Sequence, residues 1–192
     1  MNEGVHTSGE ALPLSISDPK LSLAFTAGQI QARVAELGAA IGRDFAGQQL
    51  LLCGVLKGAA IFLADLIRAI PLDCTYDFVA AESYGRATES SGSVRLTRTL
   101  QEGSIAGQNV LLVEDILDSG ATLAHVRDRL LQQRPARLAI AALLDKPSRR
   151  RVPVSADYIG FTIPDRFAVG YGMDFAERYR QLPAIHFLPE TI

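Results

Sequence analysis

The chain has 192 residues, 19 Lys and Arg against 21 Asp and Glu for a formal net charge of −2, and 48% hydrophobic residues. That length and apolar content fit one compact domain with its own core, and the balanced charge argues against a nucleic-acid coat, which needs dense positive charge to displace counterions. The longest apolar stretch, 50–72, is broken by Lys57, Asp65 and Arg68, and the start MNEGVHTSGE has neither a basic n-region nor an apolar h-region, so neither a membrane span nor a secretory signal is read.

Residues 1–25 mix Gly, Ser and Pro with scattered apolar residues and read as a loose lead-in. The lead-in proper is placed at 1–23 and a single domain at 24–192. From Thr26 a helix is signalled: Ile30, Val34, Leu37, Ile41 and Phe45 recur at helical spacing, and Thr26 with Gln29 forms a capping-box pattern. Residues 49–56 suit a buried strand, a helical stretch from Gly58 stops at Pro71, and 73–82 is rich in β-formers. The segment 83–107 is rich in Gly, Ser, Thr and Arg around a possible strand at 94–99, and reads as a long flexible loop. Further strands are expected at 109–113, 136–144, 157–161 and 168–170, with a helix over 122–133. Strands alternating with helices imply an α/β fold with a central parallel sheet flanked by helices, and ligands at the carboxyl ends of the strands. Cys53 and Cys74 sit in apolar segments without a CxxC or a His partner and read as buried free thiols in a reducing, cytoplasmic setting.

The most informative segment is VLLVEDILDSGATL, residues 110–123. An apolar strand leads to Glu114, Asp115 and Asp118, and then Ser119, Gly120, Ala121 and Thr122 turn into a helix. Backbone N–H groups, a helix N-terminus and two hydroxyls offer donors to a phosphate monoester. Three carboxylates beside such a cradle would repel a bare phosphate ester. They suit a vicinal diol or a Mg²⁺ ion, with Asp118 as a proton acceptor. The pattern therefore points to a phosphorylated sugar with free hydroxyls; the bland alternative is a capped helix with solvated acids at a strand end. No GxxxxGK[ST] or GxGxxG accompanies it.

This segment resembles the phosphoribosyl pyrophosphate (PRPP) signature of type I phosphoribosyltransferases. With GVLKGA at 54–59, ESYGRATESSGSV at 82–94, LLDKPSRR at 143–150 and DYIGFTIPDRFAVGYGMDFAERYRQLP at 157–183, the resemblance narrows to the bacterial hypoxanthine(-guanine) enzymes and covers about 24–188. It implies a type I fold with a small hood formed by the terminal segments and a lid loop over about 83–107. The implied activity is Mg²⁺-dependent conversion of a 6-oxopurine and PRPP to a nucleoside monophosphate and pyrophosphate, by a homodimer or homotetramer with no nucleic-acid or membrane partner.

The resemblance also carries residue roles. Lys57, Gly58, Ser83, Tyr84 and Arg180 would surround the pyrophosphate, and Asp118, Ser119, Gly120, Ala121 and Thr122 the 5′-phosphate. Glu114 and Asp115 would hold the ribose hydroxyls, directly or through metal, with Asp174 near a second Mg²⁺ and Asp118 taking a proton from the base. Lys146, Phe167, Ala168 and Asp174 would receive the purine: an ammonium donates only, which suits a 6-oxo group and not an exocyclic amine. Read without the resemblance, Lys57 is a surface lysine and Phe167 a core aromatic. Arg149, Arg150 and Arg151 read as a solvated or subunit-facing cluster, and His6, His125 and His186 fit no ligand set. The other readings are a PRPP-binding regulator that binds RNA or DNA, and a transferase preferring another base such as xanthine.

Overall fold

Five apolar runs lie side by side as parallel strands. The structure is a computed structural model and describes residues 21–83 and 94–189. Tyr84, His6 and most of the 1–23 segment lie outside that range. In chain order the elements are β1 (Ser22–Phe25), α1 (Ala27–Asp44), β2 (Leu50–Leu56), α2 (Ala60–Ala69), β3 (Cys74–Ser83), β4 (Val94–Arg98), β5 (Asn109–Leu117), α3 (Ala121–Gln132), β6 (Arg137–Asp145), a 3-10 turn (Pro147–Arg149), β7 (Tyr158–Thr162), β8 (Ala168–Val169) and β9 (Ile185–Phe187).

The main sheet has the order β4-β3-β2-β5-β6-β7, parallel except for β4, which runs antiparallel to β3. The chain moves outward from β2 to β3 and β4, then returns to β5 on the other side of β2. The crevice between β2 and β5 is therefore the topological switch point, where a ligand is expected in an open α/β sheet.

Alternation along the central strands feeds two cores. Leu111 and Val113 of β5 pack with Ile30, Leu37 and Ile41 of α1 and Phe62, Leu63 and Leu66 of α2. Val110 and Leu112 face the other way, toward Leu123, Val126 and Leu130 of α3. Burial on both faces explains why these strands read as continuous apolar runs rather than alternating ones. Helix α1 starts where its sequence says: the Thr26 hydroxyl accepts from the Gln29 amide at 3.2 Å, and the Gln29 side chain accepts from the Thr26 amide at 2.9 Å. At the β7 edge, Arg33 donates through Nε to the Gly160 carbonyl and through Nη2 to that of Ile159, both at 2.8 Å.

Three sequence readings need correction. Ser22–Phe25, read as part of a loose lead-in, is a strand that pairs with β9 and, through it, β8 in a separate three-stranded sheet. Such a short strand has no periodicity to read, and its partner lies more than 160 residues away. In the segment read as a long loop over 83–107, the strand expected at 94–99 is present as β4, paired with β3, but the loop reading does not hold beyond it: Leu100 and Ile105 are buried in the second core. Cys53 is buried, with its thiol pushed up to about 12 by burial and by Asp77, whereas Cys74 is only partly buried. No helix among the described residues is long and apolar enough to cross a membrane.

Replacing Thr26 with Ala removes one half of the capping box and is expected to cost about 1 kcal/mol. A lower urea midpoint at unchanged m-value, with turnover intact, is the expected outcome.

Candidate active site

The carboxyl ends of β2, β5 and β6 bring the sequence motifs together. After β2, a cis peptide joins Leu56 to Lys57, and Gly58 leads into α2. Gly58 lies against the Asp115 side chain: a Cβ there would stand 1.7 Å from Asp115 Oδ2, so a larger residue would displace that carboxylate. Strand β5 runs further than its apolar part, so Glu114 and Asp115 lie within it and Asp118 follows its end.

Glu114 is buried, and its Oε2 has no hydrogen-bond partner. Burial, and then the neighbouring Asp115, holds its carboxyl well above the usual range. Burial raises Asp115 as well, while hydrogen bonds from Glu114 and the Ile116 amide and the charge of Arg180 oppose the rise. A buried acid with an orphaned oxygen is suited to a ligand hydroxyl or a cation. Among the described residues no group of three His, Cys, Asp or Glu side chains could cage a metal by itself. A divalent ion held by Glu114 and Asp115 would take its other oxygens from substrate and water, as Mg²⁺ commonly does.

The carbonyls of the turn after β5 are engaged by neighbouring donors. Gly120 sits at φ +85 as the N-cap of α3, a left-handed conformation natural to glycine. The Arg150 guanidinium donates to the carbonyls of Leu117 (3.0 Å) and Asp118 and to the Asp145 carboxylate. The amides of Arg151 and Val152 donate to the Ser119 carbonyl at 2.9 and 3.1 Å. With its carbonyls engaged behind it, the first turn of α3 presents N–H groups that have no intrahelical acceptor. They adjoin a hollow of about 210 Å³ lined by Glu114, Asp118, Ser119, Gly120 and Thr122.

A second hollow, of about 170 Å³, is lined by Asp115, Asp118, Lys146, Phe167, Ala168 and Asp174. Asp118 and Ile116 belong to both walls. Lys146, buried at the end of β6, has its Nζ 3.8 Å from Asp118 Oδ2 and 3.9 Å from Asp165 Oδ1. Arg149 Nε bridges the same two carboxylates at 3.4 and 3.7 Å. Phe167 is 52% exposed and meets Phe175 edge-to-face at 5.6 Å, so it is a wall of the hollow rather than a core aromatic. Larger hollows, of about 450 and 550 Å³, lie at the amino ends of β2 and β5 and beside α3, away from these converging acids and cations.

Arg180 and Asp174 come from the loop between β8 and β9. Arg180 Nη2 lies 2.8 Å from Asp174 Oδ1, and Asp174 Oδ2 accepts from the Glu177 amide at 2.8 Å, so protein donors already engage both oxygens of Asp174. Lys57 Nζ pairs with Glu177 Oε2 at 3.0 Å. Ser83 is the last residue of β3, while Tyr84 lies outside the described residues.

Sequence reasoning missed two participants and misread a third. Arg150, read with its neighbours as a solvated or subunit-facing cluster, is largely buried and tied to the β5 turn. Nothing in a run of three arginines says which one folds inward. Asp165 and Glu177 also escaped. Asp165 had a usable signal, since it follows β7 at the same edge of the sheet as the other strand-end acids.

The chain matches the model of the phosphoribosyl transferase domain over residues 26–176. It is 46% identical to the hypoxanthine-guanine phosphoribosyltransferase of Mycobacterium tuberculosis, an alignment covering 97% of this chain and 94% of that protein. With the hypoxanthine phosphoribosyltransferase of Escherichia coli K12 the identity is 48%, over 82% of this chain and 89% of the relative. Among solved structures, a hypoxanthine phosphoribosyltransferase from Staphylococcus aureus superposes with a TM-score of 0.86 at 40% identity, covering 92% of this chain and 96% of the other.

Arg150→Met keeps the apolar stem but leaves the Asp145 carboxylate and the Asp118 carbonyl without this donor, while the Leu117 carbonyl keeps the Lys146 amide. A loss of about 3 kcal/mol in unfolding free energy is expected from urea denaturation, because removing one member of a mostly buried pair strands the other.

Proposed function

We propose that this chain, which belongs to the phosphoribosyl transferase family, is a purine-salvage transferase that converts hypoxanthine or guanine and PRPP to IMP or GMP and pyrophosphate. The observation that carries this reading is the position of Asp118. It stands in the wall shared by a phosphate-type cradle and a hollow containing a buried lysine and an exposed aromatic face. A base in one hollow and a phosphorylated sugar in the other would meet beside that carboxylate.

On this reading the purine stacks on Phe167 beside Ala168, with its 6-oxo group toward the Lys146 ammonium. Residues 118–122 receive the 5′-phosphate through amides and the hydroxyls of Ser119 and Thr122. Glu114 and Asp115 take the ribose hydroxyls, and Lys57, Arg180, Ser83 and Tyr84 surround the diphosphate. N9 of the base bonds to C1′ as the bond from C1′ to the diphosphate oxygen breaks. The proton on N7 passes to Asp118, which Lys146 and Arg149 flank at 3.8 and 3.4 Å and orient. Glu114 and Asp115 are the residues that would hold Mg²⁺, which would supply charge neutralisation for the departing diphosphate. Asp174 serves as the partner that orients Arg180, and a metal near it would act through water.

The reading is tested by pyrophosphate release from PRPP and Mg²⁺ with hypoxanthine, guanine, xanthine, adenine and uracil in turn. Release with hypoxanthine or guanine and none with adenine or uracil is expected. Release with xanthine alone would move the base assignment, and no release with any base would overturn the reading in favour of a PRPP-binding regulator. Asp118→Asn is expected to lower kcat by roughly 10²–10⁴-fold, with an unchanged urea midpoint. Turnover near wild type would remove Asp118 from the proton-acceptor role.

A further inference from the structure

The loop between β8 and β9 holds three non-glycine residues in succession or nearly so at positive φ: Ala176 at 51°, Glu177 at 62° and Tyr179 at 76°. Left-handed backbone at residues with a Cβ is unfavourable and persists where the surroundings enforce it, characteristically at functional sites. Here the Tyr171 amide donates to the Leu182 carbonyl at 2.8 Å and the Gly172 amide to that of Arg180 at 3.0 Å. Phe175 and Arg178 exchange backbone hydrogen bonds at 3.1 Å each way, and Arg180 Nη1 donates to the Gly172 carbonyl at 2.8 Å. What this strained loop delivers is one carboxylate. Glu177 Oε2 lies 3.0 Å from Lys57 Nζ, and Oε1 lies 3.3 Å from Arg180 Nη2.

Those two cations reach the crevice from opposite ends of the chain, one from the turn after β2 and the other from the hood loop. Glu177 is the acid that spans them. The bridge is built to be broken: the Glu177 and Lys57 side chains are 66% and 67% exposed, and an exposed ion pair contributes little to stability. A structural brace in the same place would be buried and hydrogen-bonded, as the pair of Arg150 and Asp145 is.

We propose that Glu177 is a positioning residue that acts through Lys57 and Arg180: its carboxylate stands in for the diphosphate between turnovers and is exchanged for it when substrate binds. This rests on the assignment of Lys57 and Arg180 to the diphosphate. The hydrogen bond from Lys57 and its charge hold the Glu177 carboxyl below the usual carboxylate range, so it is an anion at neutral pH. A diphosphate carries more charge than one carboxylate and displaces it. Once the C1′–O bond has broken, the freed pyrophosphate faces a tethered anion competing for the same two cations, which favours its release. Glu177 thus opposes tight binding of the diphosphate and keeps two flexible cationic side chains directed into the crevice.

The test is calorimetric titration of inorganic pyrophosphate with Mg²⁺ into the full-length wild type, Glu177→Gln and Glu177→Asp, with steady-state kinetics on each. Loss of the competing charge in Glu177→Gln is expected to tighten pyrophosphate binding about two- to tenfold, in line with the modest strength of exposed ion pairs. It is also expected to lower KM for PRPP while lowering kcat, with Glu177→Asp lying nearer wild type than Glu177→Gln in both. Pyrophosphate binding that is unchanged or weaker in Glu177→Gln, with wild-type turnover intact, would overturn the inference and leave the proposed function standing. A wild type that neither binds pyrophosphate nor turns over PRPP would bring down both.

Discussion

The contact on which the site depends is the approach of the Gly58 backbone to the Asp115 carboxylate. Parallel pairing of β2 with β5, with Gly54 opposite Val113, sets the turn after one strand against the acids of the other. No side chain intervenes, so the Lys57–Gly58 turn and the carboxylates share one crevice instead of flanking two. The hood loop then closes over the same turn: a Cβ on Gly172 would stand 2.3 Å from the Gly58 carbonyl oxygen. Two close approaches at the Gly58 turn thereby gather residues from three distant parts of the chain.

Charge in this crevice is segregated more than its formal balance suggests. Glu114 is buried beside the partly buried Asp115, and Asp118 and Asp165 share two cations, Lys146 and Arg149. Lys57 and Arg180 are joined through Glu177. Each cation thus faces an acid, and the cradle beyond Asp118 relies on amides rather than on side-chain charge. A polyphosphate substrate can be accommodated in this way by a chain whose net charge is −2.

The elements legible in the sequence were those whose cause is local. The capping box of α1 joins residues three apart, and β2, β5 and β6 are apolar runs because both of their faces are covered. The segment from Glu114 to Thr122 is contiguous, so its chemistry could be reasoned from spacing. What escaped depends on distant partners or on backbone conformation. Strand β1 exists because β9 lies beside it. Arg150 is distinguished from Arg149 and Arg151 only by the carbonyls it meets. Glu177 reaches Lys57 only because a run of non-glycine residues adopts positive φ, which no residue type there announces. Phe167 belonged by composition to a core and by resemblance to a binding face. Its half-exposed ring stands at a crevice rim and not between layers, so the core reading fails.

The Arg33 guanidinium at the β7 edge has a consequence for self-association. An uncovered strand edge is a template on which another chain can add a strand. Here two successive carbonyls of the edge strand are already engaged by a charged side chain that is itself paired with Glu36 at 2.6 Å. Extending the sheet on that side would require the arginine to be withdrawn and both acceptors re-paired in register. The fold is therefore guarded against edge-to-edge aggregation there by a single residue of its first helix, without modifying the strand it protects.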